Sequence, residues 1–124
     1  MSGSAAAVQQ YKRQAVLTAP PVKLVTMLYE RAIRSLEQAE SALRDRRYEA
    51  VSRNLGLAQE IVGELLTSLD LEAGGEIARD LQRLYTFSLE GMTSAHVGRD
   101  GTLLGQVRTV LSTLHESWVE IARG

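Results

Sequence analysis

Residues 21–44 read PVKLVTMLYERAIRSLEQAESALR, and within them Val25, Tyr29, Ala32, Leu36, Ala39 and Leu43 recur at alternating spacings of four and three. At about 3.6 residues per turn, that spacing gathers the apolar side chains into one narrow stripe. Glu30/Arg34 and Glu40/Arg44 fall on the wet side as Glu-before-Arg pairs four apart, a spacing that supports a helix in water. The stretch predicts a helix over about 21–44 whose seam must be covered by neighbours.

The same pattern repeats toward the C-terminus. Asp45-Arg46-Arg47 interrupts it, and Val51, Leu55, Ala58, Val62, Leu65 and Leu69 then predict a second helix over about 48–70. Leu71-Glu72-Ala73-Gly74-Gly75 offers two glycines able to take positive φ, which suits a stop and a short turn. Ala78, Leu81, Tyr85, Ser88, Met92 and Ala95 mark a third helix over about 76–97. After Gly98, the residues Asp100 and Thr102 are candidate N-caps for a fourth over about 103–122, with seam Leu104, Val107, Leu111, Leu114, Trp118 and Ile121. Short connections force neighbouring helices antiparallel, so the expected fold is all-α: an antiparallel up-down four-helix bundle over 21–124 with an N-terminal arm over 1–20. The arm is small and polar at its start, and Ala19-Pro20-Pro21 gives it an extended junction with the first helix. Its one aromatic, Tyr11, leaves two readings open, an arm that docks back onto the bundle and one that stays free.

Composition narrows the function. The 124 residues suffice for one domain burying roughly two-thirds of its unfolded surface. Fourteen Lys and Arg against fifteen Asp and Glu leave a formal charge of −1, so no global field recruits nucleic acid or an anionic membrane. The absence of cysteine excludes disulfides, thiolate zinc sites and cysteine nucleophiles. No window is apolar enough to span a membrane, and the first residues lack the basic start and apolar run of a signal peptide, so a cytoplasmic location without membrane insertion is expected.

Catalytic chemistry is missing too. A di-metal bundle site needs Glu-x-x-His pairs, but Thr93 and Ser112 stand three before His96 and His115. Met92 and His96 share one helix, whereas axial haem ligands usually come from two. No nucleophile elbow or phosphate-cradling loop occurs. The reading is therefore no enzyme, no cofactor and no metal. Ala95-His96-Val97-Gly98-Arg99 loosely resembles the phosphoryl-accepting site of histidine phosphotransfer domains, but those histidines sit mid-helix, whereas Gly98, Asp100 and Gly101 end this helix at once.

What the chain has in surplus is apolar side chains beside the seams: Leu24, Leu28 and Ile33; Leu57, Ile61 and Leu66; Ile77, Leu84, Phe87 and Leu89; Leu103 and Val110. Two accounts stand side by side: a wider core stripe, which globular helices require, and a groove or patch for a partner, with several of these residues expected to be exposed. Gly56 and Gly63, seven apart, cost about 1 kcal/mol each relative to Ala in a helix.

Tyr11, Val16-Leu17-Thr18-Ala19-Pro20-Pro21, Leu24, Met27-Leu28-Tyr29-Glu30 and Ala32-Ile33-Arg34 together resemble the FliS family of flagellar secretion chaperones. The resemblance continues through Ala58-Gln59-Glu60-Ile61-Val62, Glu64-Leu65, Ser68-Leu69-Asp70, Gly74-Gly75-Glu76-Ile77-Ala78, Leu81, Leu84-Tyr85 and Trp118, covering nearly the whole chain in order. Pro20, Asp80 and His96 depart from the family's usual small polar residue and two asparagines. The resemblance implies a cytoplasmic bundle that binds the disordered C-terminal segment of flagellin, prevents premature polymerisation and delivers it to the flagellar type III secretion apparatus. It names export-gate components and other flagellar regulators as further candidate partners. Recognition would be helix-in-groove, with an ordering penalty of roughly 2–5 kcal/mol. The residues expected to face the client are Tyr11, Val16, Leu24, Leu28, Ile61 and Phe87, with Tyr11, Val16 and Leu17 forming a lid. A generic helical adaptor with another client, or phosphotransfer through His96, are the alternatives.

Overall fold

The computed structural model describes residues 21–123; the arm, with Tyr11, Val16 and the expected lid, lies outside them. The described residues form four helices: α1 (Pro21–Arg44), α2 (Tyr48–Thr67), α3 (Leu71–Gly98) and α4 (Gly101–Arg123). Each helix packs on its chain neighbours, and α4 closes the ring on α1, leaving α1 and α3 on one diagonal and α2 and α4 on the other. This is the up-down four-helix bundle that the seams predict.

The stripe of α1 is buried as its spacing requires, with Val25, Tyr29, Ala32, Leu36 and Ala39 inside and Leu43 half-buried. Val51, Leu55, Ala58, Val62 and Leu65 meet it from α2, and Ala78, Leu81, Tyr85, Ser88, Met92 and Ala95 from α3. Two seam assignments need correction. Leu69 lies beyond the end of α2, half-buried against the core. Ile121 is 56% exposed, because the last turn of α4 lies beside the start of α3, where the chain has only just left a break at Gly75 and Ile77 is also exposed.

The helix ends explain the other shifts. Where the spacing predicts α2 as far as 70, hydroxyls take up the last carbonyls: Thr67 Oγ1 donates to Glu64 O at 3.1 Å and Ser68 Oγ to Leu65 O at 2.8 Å. Asp70 then accepts from Ala73 N at 3.1 Å and starts α3 earlier than the glycines suggest. That first turn breaks at Gly75 (φ 59°, ψ −137°), a conformation glycine adopts cheaply, and regular helix resumes at Glu76. Asp100 starts α4 by accepting from Leu103 N at 3.1 Å.

The expected pairing of Glu30 with Arg34 and Glu40 with Arg44 along α1 is replaced by pairing across helices. Glu40 binds Arg108 of α4 through Arg108 Nε, and Glu30 lies 3.3 Å from His115 Nε2 of α4. The Glu40 bond raises the Arg108 pKa, against a smaller opposing effect of burial.

Candidate functional site

The inter-helix ties fix which flank of each helix faces which neighbour. Glu30 and Glu40 turn their flank of α1 toward α4, so Leu24, Leu28 and Ser35, on the opposite flank, lie toward α2. On α2, Ser52 Oγ bonds His96 Nε2 at 2.8 Å and Gln59 Nε2 donates to Thr93 Oγ1 at 3.3 Å, which turns that flank toward α3. Ile61 lies on the flank toward α1. Three of the expected client-facing residues, Leu24, Leu28 and Ile61, therefore share the α1–α2 seam. They are not equally available: Leu24 is half-buried, Leu28 packs half-buried against the core, and Ile61 is 5% exposed within it.

Phe87 belongs elsewhere. Tyr85 points inward, and two residues further on the helix has turned past the half-way point, leaving Phe87 40% exposed. Phe87 stands three after Leu84 and four before Gly91. Ile77, Leu84 and Gly91, at intervals of seven, share one flank of α3. At Gly91 this flank meets α4 so closely that an added Cβ would lie 2.8 Å from Val107 Cγ2 and 3.8 Å from Leu103 Cδ1. Toward the other end it opens: Leu84, Val110 and Leu114 are half-buried, while Ile77 is 62% exposed. The α3–α4 seam is thus closed at Gly91 and presents apolar side chains from there to Ile77 and Ile121.

Ile121 was the residue that sequence periodicity hid, since it continues the seam spacing of α4. Met27 and Val97, both exposed, also stand outside the expected set, and their positions off the seams are the signal that could have flagged them.

The tyrosine hydroxyls inside the bundle are engaged in structure. Tyr29 and Tyr85 hydroxyls meet at 2.5 Å across the α1–α3 diagonal, and the His115 ring stacks on Tyr29 with centroids 6.5 Å apart. His96 is exposed, bonded to Ser52, and stands two residues before the last residue of α3, an unlike setting for a mid-helix phosphoryl acceptor. Among the described residues, no group of three His, Cys, Asp or Glu side chains could hold a metal ion, and no helix is long and apolar enough to cross a membrane.

Such an arrangement defines a helical bundle with exposed apolar side chains along one seam and, among the described residues, no metal-binding cluster. Sequence comparison gives it a family: residues 4–124 match the flagellar protein FliS family, and the chain belongs to it. The flagellar secretion chaperone FliS of Salmonella typhimurium is 32% identical over 122 residues, covering 98% of this chain and 90% of that protein. Its counterpart in Vibrio cholerae is 31% identical over 118 residues, covering 92% and 87%. The Campylobacter jejuni protein is 33% identical over 101 residues, covering 82% and 79%.

Proposed function

We propose that this chain is a cytoplasmic flagellar export chaperone that binds the C-terminal segment of flagellin, keeps it from polymerising and hands it to the type III export apparatus. The observation that carries the reading is the opening of the α3–α4 seam, where Ile77, Phe87 and Ile121 stay exposed although the core beneath is filled. A chain that folds as it binds can lay an apolar helical face along such a seam and cover those side chains together. The half-buried Leu24 and Leu28 on the α1–α2 seam, on the opposite side of the bundle, offer a second apolar surface, so an extended client would engage two sides. Tyr11, Val16 and Leu17 act in this reading as a lid that covers apolar surface in the free chaperone and is displaced or rearranged by the client.

Titration calorimetry with circular dichroism, using a peptide of the flagellin C-terminal segment, tests it. Saturable one-to-one binding with helix gained beyond the sum of the parts is the expected result. Absence of both heat and added helix would overturn the assignment of flagellin as client.

A further inference from the structure

The turns α1–α2 and α3–α4 lie together at one end of the bundle, opposite Ile77 and Ile121: the Arg99 guanidinium sits 3.7 Å from the Tyr48 ring centroid, and Leu43 Cδ2 is 3.7 Å from the Cβ position of Gly101. This tip gathers Arg44, Arg46, Arg47, Arg53 and Arg99, all exposed. Its carboxylates are fewer: Asp45 lies 3.6 Å from Arg47, Asp100 caps α4, and Glu49 is exposed at the start of α2. Arg44, Arg46 and Arg53 join no ion pair among the described residues. The far end carries Glu64, Asp70, Glu72, Glu76, Glu116 and Glu120 against Lys23, Arg79 and Arg123, the last of which lies 3.7 Å from Glu120. A chain of nearly zero net charge is thus polarised along its length.

Three of the tip arginines stand where another residue would serve the fold better. Arg46 (φ 58°) and Arg99 (φ 51°) occupy left-handed positions just past α1 and α3. Both complete the same helix-ending motif, with Arg47 N bonding Ala42 O at 2.8 Å and Asp100 N bonding Ala95 O at 2.9 Å, and glycine is the residue that motif favours. Arg47 is the N-cap of α2 and makes no capping bond, so it also sets a positive charge at the positive end of that helix. Favourable charge at a helix C-terminus would account for Arg44, Arg46 and Arg99, but it opposes Arg47. Binding accounts for all of them, since strained or misplaced side chains persist where they serve a contact.

Arg47, Ala50 and Arg53 also line two open surface depressions in common. One, about 300 Å³, is lined further by Gln38, Ser41 and Asn54; the other, about 370 Å³, by Tyr48 and Glu49. Guanidinium forks flanked by amide and hydroxyl groups fit single carboxylates presented on a chain. We propose that this tip docks an acidic segment of a partner protein, separately from the apolar seams. Side-chain carboxylates of a peptide can enter these depressions singly between the guanidinium groups, and the acidic residues of the far end oppose adsorption of the bundle lengthwise on an anionic bilayer.

Amide-resolved NMR titration of the full chain with a synthetic peptide alternating Glu and Asp around one Leu tests this. Parallel titrations use the same peptide with Lys in place of each carboxylate, and phosphatidylglycerol vesicles. The expected result is perturbation confined to residues 38–54 and 96–100, saturable with the acidic peptide alone and weakened by salt. Arg47→Ser with Arg53→Ser lowers that affinity at least about tenfold. Arg46→Gly and Arg99→Gly weaken binding while raising the thermal midpoint. Perturbations spread over the whole bundle, equal response to the Lys peptide, or binding to vesicles without binding to peptide would overturn the proposal. So would a lower midpoint for both glycine variants, which would assign the arginines to capping.

Discussion

Helices α1 and α3 face each other across the bundle diagonal, meet through the Tyr29 and Tyr85 hydroxyls, and differ in almost everything else. On α1 the seam is unbroken, its flank is tied to α4 by Glu40–Arg108 and Glu30–His115, and Met27 is its exposed large apolar residue. On α3 the seam is as deeply buried, yet the helix begins with a one-turn piece broken at Gly75, is joined to α2 through exposed hydrogen bonds, and exposes Leu71, Ile77, Phe87 and Val97. Equal burial of the inner face therefore goes with opposite use of the outer one. In α1 the face turned from the core is polar apart from Met27; in α3 it carries four exposed apolar side chains, the larger share of the surface that the proposed client would cover.

The sharpest way to break that contrast is truncation at matched positions. Leu36→Ala, at a site with no solvent exposure, removes packing on every side and should lower unfolding free energy by about 2–5 kcal/mol in urea titrations. Phe87→Ala and Ile77→Ala should each stay within about 1 kcal/mol in the same titrations. Each should weaken the flagellin segment about tenfold in calorimetry. Stability losses at Phe87 and Ile77 as large as at Leu36, with client affinity intact, would erase the distinction.

The glycines of α2 and α3 sharpen it from the other side. Gly91→Ala sets a methyl 2.8 Å from Val107 Cγ2, and Val107 is fully buried and rotamer-locked in its helix, so the variant should lose about 1–3 kcal/mol by denaturant titration. Gly56 and Gly63 have nothing within 4 Å of their Cβ positions, and alanine at either should add up to about 1 kcal/mol. The closed part of the α3–α4 seam would then be shown to rest on one missing methyl group.

Much of this could be read from the sequence because a bundle core obeys helical periodicity. Every seam residue of α1 from Val25 to Ala39, and every one of α3 from Ala78 to Ala95, is buried where the spacing places it. Periodicity has no means of telling where a neighbouring helix stops covering it, which is why Ile121 keeps the α4 rhythm and yet is exposed. The off-seam apolar residues were legible as a surplus, but not as a surface. Leu24, Leu28 and Phe87 look alike in a sequence, and only the Glu40–Arg108 and Ser52–His96 ties show that the first two belong to the α1–α2 seam while Phe87 borders the α3–α4 one. Helix ends depended on side-chain bonds from Ser68 and Asp70, which compete locally with the glycines that seemed to mark the turn.

The smallest expected effect concerns the way α3 begins. Accepting the Ala73 amide holds the Asp70 carboxyl below its ordinary pKa. A pKa depressed in the folded state means that the cap's contribution is present above the ordinary aspartate range and is lost as pH falls through the folded value. The one-turn piece from Leu71 to Gly74 is separated from the rest of α3 by Gly75, so losing the cap should loosen that turn and leave the helix from Glu76 onward in place. Amide exchange at Ala73 and Gly74 should therefore quicken relative to the Tyr85 amide as the solution is acidified through that range. Asp70→Asn keeps an acceptor for Ala73 N but cannot titrate, and should flatten the dependence. If acid loosened α1 as readily as this first turn, or if the asparagine variant kept the full pH response, the origin of the effect would lie outside the cap and α3 would lose its separately yielding first turn.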